Sequence, residues 1–305
     1  MIKKPNILFS LTLATIAIVA LSFVLSKNKE KYLGDMFWTK KTYAKSTYNL
    51  VLMGDSRVYR GISPEIMETN LPNTKILNFA YSNGGLNATM FAAAHSKLNP
   101  SENKKIMLLG ITANSITEYT QSNEQYYQEL NRPREEVWER LYMNPLLYWF
   151  SATSPEKLKD LFHPVKQLAY YLSEYHMNGY VESDKYPIDT LEAISSYTKD
   201  FNSYKVEEKN IVELLNLVKR YSAERIIVIG FRPPVSEPLK QLEDSLGNYN
   251  EATLKIRLIE AGGYWIDINH SHYKTYDGSH LTKESAKRFS EFIAVEIKNI
   301  IQQQD

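Results

Sequence analysis

Short apolar runs alternate with amphipathic segments along most of this chain. Three of the runs are almost continuously apolar, which is typical of strands buried on both faces of a parallel sheet. Together the runs predict one parallel sheet of five strands. The predicted strands are Asn49–Met53, Lys75–Phe79, Lys105–Leu109, Arg225–Phe231 and Tyr264–Ile268.

The segments between these strands carry apolar residues at helical spacing. The last of them begins near Thr282, a residue type that caps helix N-termini, and has Glu284 in its first turn. Alternating strands and helices predict βαβ units with right-handed crossovers, and therefore an α/β fold. The apolar face of the last helix is predicted to consist of Ala286, Phe289, Ile293, Ile297 and Ile300.

Residues 115–205 interrupt this alternation, because they contain no clear buried strand. Their pattern favours irregular amphipathic helices rich in Tyr, Trp and Arg, for example Arg134–Tyr142. We predict a helical insertion between the third and fourth strands. It forms either a lid beside the site or a packing elaboration without chemistry, and both interpretations stay open.

An uncharged apolar run from Ile7 to Leu25, with lysines on both sides, lies near the N-terminus. About 20 apolar residues cross a bilayer as a helix, so residues 1–26 are predicted to be a single-pass transmembrane anchor. A cleaved signal peptide is the alternative, although its apolar core is shorter, about 7–15 residues. Residues 27–47 are predicted to be a solvated stalk, and residues 48–305 the folded domain. The flanking lysines do not determine the orientation in the membrane.

The composition excludes several classes of function. The 305 residues contain 36 Lys and Arg against 35 Asp and Glu, so no positive excess indicates nucleic acid as a partner. Because the chain has no Cys, disulfides, cysteine nucleophiles and thiolate metal sites are excluded. His270 and His272 form a pair that could bind metal, but no paired carboxylates accompany them. We therefore predict neither a metal nor a cofactor.

Polar residues follow the predicted strands, at the edge where parallel sheets bind their ligands. The first strand is followed by Gly54-Asp55-Ser56, and the fifth by Asp277-Gly278-Ser279-His280. Serine is a weak nucleophile until a base accepts its proton, and a histidine held by a carboxylate can accept it. We therefore predict that Ser56 attacks an ester, with His280 as the base and Asp277 as the residue that orients the imidazole.

These motifs resemble those of the SGNH/GDSL hydrolase superfamily. Gly54-Asp55-Ser56 matches its first motif, and Asp277-x-x-His280, followed by Leu281-Thr282, matches its last. The resemblance covers about Tyr48–Ile301 and is greatest to a membrane-anchored bacterial branch of cell-envelope or unknown function. It implies a flavodoxin-like three-layer sandwich with strand order 2-1-3-4-5, and an extracytoplasmic domain.

The middle motifs depart from the pattern of the superfamily. Ala80 stands at the first glycine position after the second strand, and the other glycine is displaced to Gly84. After the third strand, Asn114 lies two places later than the asparagine of the superfamily. The amides of Ser56 and Gly84 and the side chain of Asn114 are the predicted oxyanion donors, although Asn114 alternatively caps the next helix.

Two arginines also follow strands. Arg57 and Arg232 are candidate substrate-binding residues, because guanidinium groups bind carboxylates and phosphates. The alternative interpretation is that they pair with Asp55 or with carboxylates of the insertion.

The resemblance and the predicted anchor together indicate a membrane-anchored serine esterase or O-acyltransferase. The expected substrate is an O-acyl, for example O-acetyl, ester on a small molecule or an envelope glycan, and envelope proteins are candidate partners. The altered middle motifs would instead suit a binding or assembly module that has lost catalysis. A nucleotide- or flavin-binding domain is disfavoured, because no Gly-x-Gly-x-x-Gly opens the first helix.

Overall fold

A parallel sheet of five strands, ordered β2-β1-β3-β6-β7, organises the larger of two compact units. The computed structural model describes residues 7–26, 29–150 and 169–303. Each neighbouring pair of strands in the sheet is parallel, which confirms the predicted five-stranded parallel sheet. The strands of the described residues are β1 (Leu50–Met53), β2 (Ile76–Asn78), β3 (Lys105–Gly110), β4 (Tyr170–Tyr175), β5 (Val181–Tyr186), β6 (Ile226–Phe231) and β7 (Tyr264–Ile266).

Strands β4 and β5 form a separate antiparallel hairpin within the predicted insertion at residues 115–205. The prediction of helices alone is therefore wrong for this part of the insertion. Numbered over all seven strands, the order in the sheet is 2-1-3-6-7 and so differs from the predicted 2-1-3-4-5, because the two hairpin strands lie in sequence between the third and fourth strands of the sheet. The residues of β4 are exposed or half-buried, so this strand lacks the apolar run by which a buried strand is recognised.

Helices connect the strands, and the alternation fits a flavodoxin-like α/β fold. Short 3₁₀ turns lie at Asn114–Ile116, Glu118–Ser122 and His270–His272, and a π-helical turn at Glu139–Met143. The α-helices of the described residues are α1 (Ile7–Ser26), α2 (Lys29–Thr42), α3 (Ser56–Gly61), α4 (Pro64–Asn70), α5 (Ala88–His95), α6 (Glu124–Leu130), α7 (Arg134–Trp138), α8 (Asn144–Phe150), α9 (Ile194–Ser203), α10 (Glu208–Ala223), α11 (Glu237–Ser245), α12 (Glu251–Glu260) and α13 (Lys283–Gln302).

The apolar patterns explain the core of the larger unit. All residues of β1 and β6 are buried, as expected for strands covered on both faces. Thr282 caps α13 by accepting a hydrogen bond from the amide of Ser285, which confirms the predicted start of this helix. The predicted apolar face of α13 is buried, and its members are Ala286, Phe289, Ile293, Ile297 and Ile300.

The smaller unit comprises Met1–Lys40 and Asn131–Leu168, so it includes part of the predicted insertion. Within it, Arg140 Nη2 forms ion pairs of 3.2 Å with Asp35 Oδ1 and 2.9 Å with Glu136 Oε1.

The segment predicted as a solvated stalk is largely helical, since α2 covers Lys29–Thr42. Its side chains include the buried Phe37, Thr39, Lys41 and Thr42.

The predicted membrane anchor has no support among the described helices. Within residues 7–26, 29–150 and 169–303, no helix has both the length and the apolar character that a bilayer crossing requires. Residues 1–6 of the predicted anchor, 27–28 of the predicted stalk and 151–168 of the predicted insertion lie outside the described residues.

Candidate active site

Ser56 is the first residue of α3, where the chain turns from the end of β1 into a helix. The turn requires glycine at position 54, because Gly54 has a φ of +144°. A Cβ atom there would lie 2.5 Å from Val58 Cγ2 and 2.8 Å from the carbonyl oxygen of Gly110. Asp55 caps α3, since its Oδ1 accepts a 3.0 Å hydrogen bond from the amide of Arg57. The turn thus presents the Ser56 hydroxyl at the carboxyl edge of the sheet.

Ser56, His280 and Asp277 form a continuous chain of hydrogen bonds. Ser56 Oγ lies 2.8 Å from His280 Nε2, and His280 Nδ1 lies 2.6 Å from Asp277 Oδ2. An ionised carboxylate can only accept, so Nδ1 carries the proton and Nε2 is left to accept from the serine hydroxyl. The side chains of His280 and Asp277 keep 18% and 16% of their exposure, so the site is open to a substrate.

The Asp277 carboxylate is also held by the backbone of its own loop. Its Oδ1 accepts hydrogen bonds of 2.8 Å from the amide of Ser279 and 2.7 Å from the amide of His280. Burial alone would raise the pKa of Asp277, but the hydrogen bonds and charge of His280, with the Ser279 amide, lower it below its ordinary value. Asp277 is therefore ionised at neutral pH, as a residue that orients a histidine must be.

The three predicted oxyanion donors differ in their availability. The amide of Ser56 opens α3 and has no hydrogen-bond partner among the described residues. The amide of Gly84, in contrast, donates a 3.1 Å hydrogen bond to the carbonyl of Tyr81, so the predicted donor is engaged in a turn. Asn114 is buried and starts a 3₁₀ turn rather than capping one. Its side-chain amide has no partner in the described part of the chain.

Arg57 and Arg232, predicted to bind substrate, are instead buried in an internal ion-pair cluster. Arg57 Nη1 lies 2.7 Å from Glu243 Oε1, and Arg232 Nη2 lies 2.8 Å from Glu243 Oε2. Arg232 also pairs with Asp244 at 2.7 Å and with Glu251 at 3.3 Å. Their guanidinium groups are committed to these carboxylates, so the described contacts lend no support to the predicted substrate-binding role of Arg57 and Arg232. The pairing is internal, as in the alternative interpretation, but its partners lie on α11 and at the start of α12 rather than at Asp55 or in the insertion.

Several residues around the site carry no motif that singles them out. Tyr276 stacks against the His280 ring at a centroid distance of 5.8 Å and an interplanar angle of 19°. Thr112 carries a positional signal, because it follows β3 at the carboxyl edge of the sheet, where site residues are expected. The side chains that sequence reasoning missed are Thr112, Tyr197, Glu243, Tyr276 and Ser279.

The described residues contain no group of three or more His, Cys, Asp or Glu side chains arranged to hold a metal ion. The side chain of His272 is exposed, and its Nε2 lies 3.0 Å from Asn269 Nδ2. His270 is half-buried, and its Nδ1 accepts a 3.3 Å hydrogen bond from the amide of Val235. The His272 ring therefore contacts a residue of its own loop, and the His270 ring contacts the loop that follows β6.

Comparisons with known proteins give weak likenesses. No family model matches the chain, and no curated protein matches it. A solved structure of Est24, a carbohydrate acetylesterase from Sinorhizobium meliloti, is 11% identical over 83% of this chain and 100% of that one, with a TM-score of 0.41. A structure named for platelet activating factor, from Streptococcus pneumonia, is 12% identical over 93% of this chain and 98% of that one, with a TM-score of 0.36. Identity and TM-score are too low in both cases to assign this chain a family or a function.

Proposed function

We propose that this protein is a serine esterase that hydrolyses acyl esters through an acyl-serine intermediate on Ser56. The observation that carries the proposal is the chain of contacts from Asp277 through His280 to Ser56, at 2.6 Å and 2.8 Å. Both distances lie within hydrogen-bond reach, which proton transfer between a nucleophile and its base requires.

The reaction follows from which atoms accept and donate. Ser56 Oγ attacks the ester carbonyl carbon while its proton passes to His280 Nε2, and Asp277 stabilises the resulting imidazolium. When the tetrahedral intermediate collapses, the bond from carbon to the alcohol oxygen breaks, and His280 returns the proton to the leaving alkoxide. Water then attacks the acyl-serine with His280 again as base, which releases the acid and restores Ser56.

The negative charge on the carbonyl oxygen requires hydrogen-bond donors that are already in place. The unpartnered amide of Ser56 is adjacent to the attacking oxygen and is the first such donor. The Asn114 side chain is the second candidate, since its amide makes no hydrogen bond with any described residue. Gly84 does not serve while its amide is bonded to Tyr81.

The finer proposals concern the substrate and the location. We extend the proposal to O-acyl, such as O-acetyl, esters of envelope glycans, with either water or a sugar hydroxyl as acceptor, and to an extracytoplasmic domain. These extensions rest on the sequence resemblance. The engaged Gly84 amide favours a second candidate, a binding or assembly module without catalysis.

Hydrolysis of p-nitrophenyl acetate by the full-length protein separates the two candidates. We expect turnover by the unaltered protein and a loss of about 10³-fold or more in Ser56→Ala. A fluorophosphonate probe should modify Ser56, as mapped by mass spectrometry. The matched control is Ser245→Ala, an exposed serine of α11, which should retain full activity. Absent turnover and absent labelling would favour the non-catalytic module, and activity that survives Ser56→Ala would exclude Ser56 as the nucleophile.

A further inference from the structure

Arg57 directly follows Ser56, yet its side chain points into the protein and contacts the loop that carries Asp277 and His280. Its Nε donates a 3.1 Å hydrogen bond to Ser279 Oγ, and the arginine is 3% exposed. Ser279 lies between Asp277 and His280 in sequence. Arg57, the second residue of α3, is thus hydrogen-bonded to the loop whose His280 must contact Ser56, the first residue of α3.

Ser279 connects this contact to the Asp277 carboxylate. Its amide donates a 2.8 Å hydrogen bond to Asp277 Oδ1, while its hydroxyl oxygen lies 3.0 Å from the Tyr197 hydroxyl. The Tyr197 ring lies 5.0 Å from the guanidinium carbon of Arg57. Ser279 is 1% exposed, so its side chain is shielded from solvent.

A buried carboxylate holds the guanidinium of Arg57 from the other side. Glu243 Oε1 lies 2.7 Å from Arg57 Nη1, in a close ion pair that is not aligned as a hydrogen bond. Glu243 is itself held by Arg232, and neither of these two side chains has measurable exposure. Burial acts to lower the pKa of Arg57, but the carboxylate of Glu243 and the contacts with Tyr197 raise it overall, so the guanidinium stays charged.

These contacts form a closed ring. It runs from Ser56 to Arg57 along the chain, to Ser279, to Asp277, to His280, and back to Ser56 Oγ. A ring of this kind fixes the separation of the two halves of the site, because α3 and the Asp277 loop can shift apart only if a bond breaks. A displacement of about 1 Å at reacting atoms lowers rates by about 10²-fold.

We propose that Arg57 is a positioning residue, which holds the Asp277–His280 loop against Ser56 through the hydroxyl of Ser279. This proposal rests on the proposed esterase function. The Arg57 side chain makes no hydrogen bond with Ser56 Oγ, Asp277 or His280, so it acts on these residues through Ser279. Glu243 and Arg232 anchor it, which explains why two arginines and a carboxylate are buried behind the site.

The test compares Ser279→Ala with Ser290→Ala. Both serines are buried, and each hydroxyl makes two hydrogen bonds, those of Ser290 being to the Ser63 amide and the Ala286 carbonyl on α13. In Ser279→Ala we expect kcat on p-nitrophenyl acetate to fall about ten- to a hundredfold with KM unchanged. In Ser290→Ala we expect a lower Tm with unchanged kcat.

A second measurement tests the closed ring of contacts without relying on esterase activity. The proton between His280 Nδ1 and Asp277 gives a downfield ¹H resonance in protein labelled with ¹⁵N-histidine, which His280→Gln identifies by its loss. In Ser279→Ala we expect this proton to exchange with water about tenfold faster or more, because the loop opens locally. Ser290→Ala should leave it unchanged, and Arg57→Lys, which keeps the charge opposite Glu243, should behave as Ser279→Ala does.

Two outcomes would overturn the proposal. The first is a lower Tm in Ser279→Ala with kcat and the His280 proton as in the unaltered protein, which would make the contact purely stabilising. The second is equal proton exchange in all variants. If the unaltered protein lacks esterase activity but Ser279→Ala and Arg57→Lys accelerate exchange while Ser290→Ala does not, the positioning role stands and the esterase function fails.

Discussion

Thr112 Oγ1 donates a 2.7 Å hydrogen bond to Asp55 Oδ2, which ties the segment after β3 to the residue that precedes Ser56. Both side chains are buried, at 0% and 2% exposure. The other oxygen of Asp55 accepts from the amide of Arg57 and so caps α3. Asp55, which follows β1, therefore orients the helix that begins at Ser56. Thr112, which follows the neighbouring strand β3, holds Asp55 in place.

Replacement of Thr112 by valine tests this role. Thr112→Val keeps the shape of the side chain but leaves Asp55 Oδ2 without its donor and the amide of Ser115 without its acceptor. We expect the free energy of unfolding to fall by about 1–3 kcal/mol for each group left unpaired, together with a lower kcat. Urea denaturation and the ester assay measure the two effects. Thr112→Ser retains the hydroxyl and should resemble the unaltered protein, and equal stability of both variants would contradict the assignment.

The backbone of Gly84 packs closely against Gly54, in the turn that precedes Ser56. A Cβ atom at position 84 would lie 2.4 Å from the carbonyl oxygen of Gly54. We therefore expect Gly84→Ala to displace the turn before Ser56, with a loss of about 1–3 kcal/mol in stability and of most esterase activity. Thermal unfolding and fluorophosphonate labelling measure these effects.

Gly61, at the end of α3, provides the matched control for Gly84→Ala. A Cβ atom there would lie 3.6 Å from Leu281 Cδ1, which is ordinary contact. Because alanine is favoured over glycine in helices, Gly61→Ala should be neutral or more stable by up to about 1 kcal/mol. Unimpaired labelling in Gly84→Ala would show that the close approach to Gly54 does not matter for the site.

The sheet and the meeting of Ser56 with His280 could be predicted because their signals are local. The continuous apolar runs of β1 and β6 mark strands that are buried on both faces, and all their residues are buried. Gly54 and Asp55 mark a turn into a helix, since Gly54 adopts a positive φ and Asp55 caps the N-terminus of α3. In a parallel sheet, residues that follow strands share one edge, which brings the first and last motifs together.

Contacts between distant segments left no such signal. The partner of both Arg57 and Arg232 is Glu243, an ordinary acidic residue of an amphipathic helix in the sequence, and its complete burial shows only in the fold. The hairpin of β4 and β5 was missed because β4 is exposed or half-buried and neither strand carries an apolar run. The amide of Gly84 was predicted to be an oxyanion donor, because its hydrogen bond to the Tyr81 carbonyl depends on backbone geometry that no sequence motif reveals.

Glu243 should be one of the residues on which the stability of the larger unit depends most. Burial would raise its pKa, but Arg57 and Arg232 outweigh burial and lower the pKa below its ordinary value. Glu243→Gln leaves two buried guanidinium groups without their shared counter-charge, so we expect a loss of about 3–5 kcal/mol in the free energy of unfolding. Chemical denaturation measures it.

The matched control for Glu243→Gln is Asp244→Asn, at the next residue of α11. Asp244 also pairs with Arg232, but its side chain is 39% exposed. Exposed ion pairs contribute at most about 1 kcal/mol, so this variant should be nearly as stable as the unaltered protein. Equal losses in the two variants would show that burial of Glu243 does not govern its contribution.

His270 should make the stability of the protein depend on pH. Burial, followed by the positive charges of Arg232 and Lys240, lowers the pKa of His270 from 6.5 to about 4. Between these values the ring is neutral in the folded state and protonated in the unfolded state. The contribution of the neutral His270 ring to the free energy of unfolding is therefore complete above pH 6.5. It is lost as the pH falls towards 4, by up to about 1.4 kcal/mol per pH unit.

Replacement of His270 by glutamine isolates this contribution, because glutamine does not titrate. Urea denaturation from about pH 7.5 to pH 5 should show a shallower loss of stability in His270→Gln than in the unaltered protein. His272→Gln, an exposed histidine two residues away, should keep the slope of the unaltered protein, since its ring is not buried. If His270→Gln and His272→Gln have the same slope, a buried neutral His270 does not govern the response to acid, and other groups must be sought.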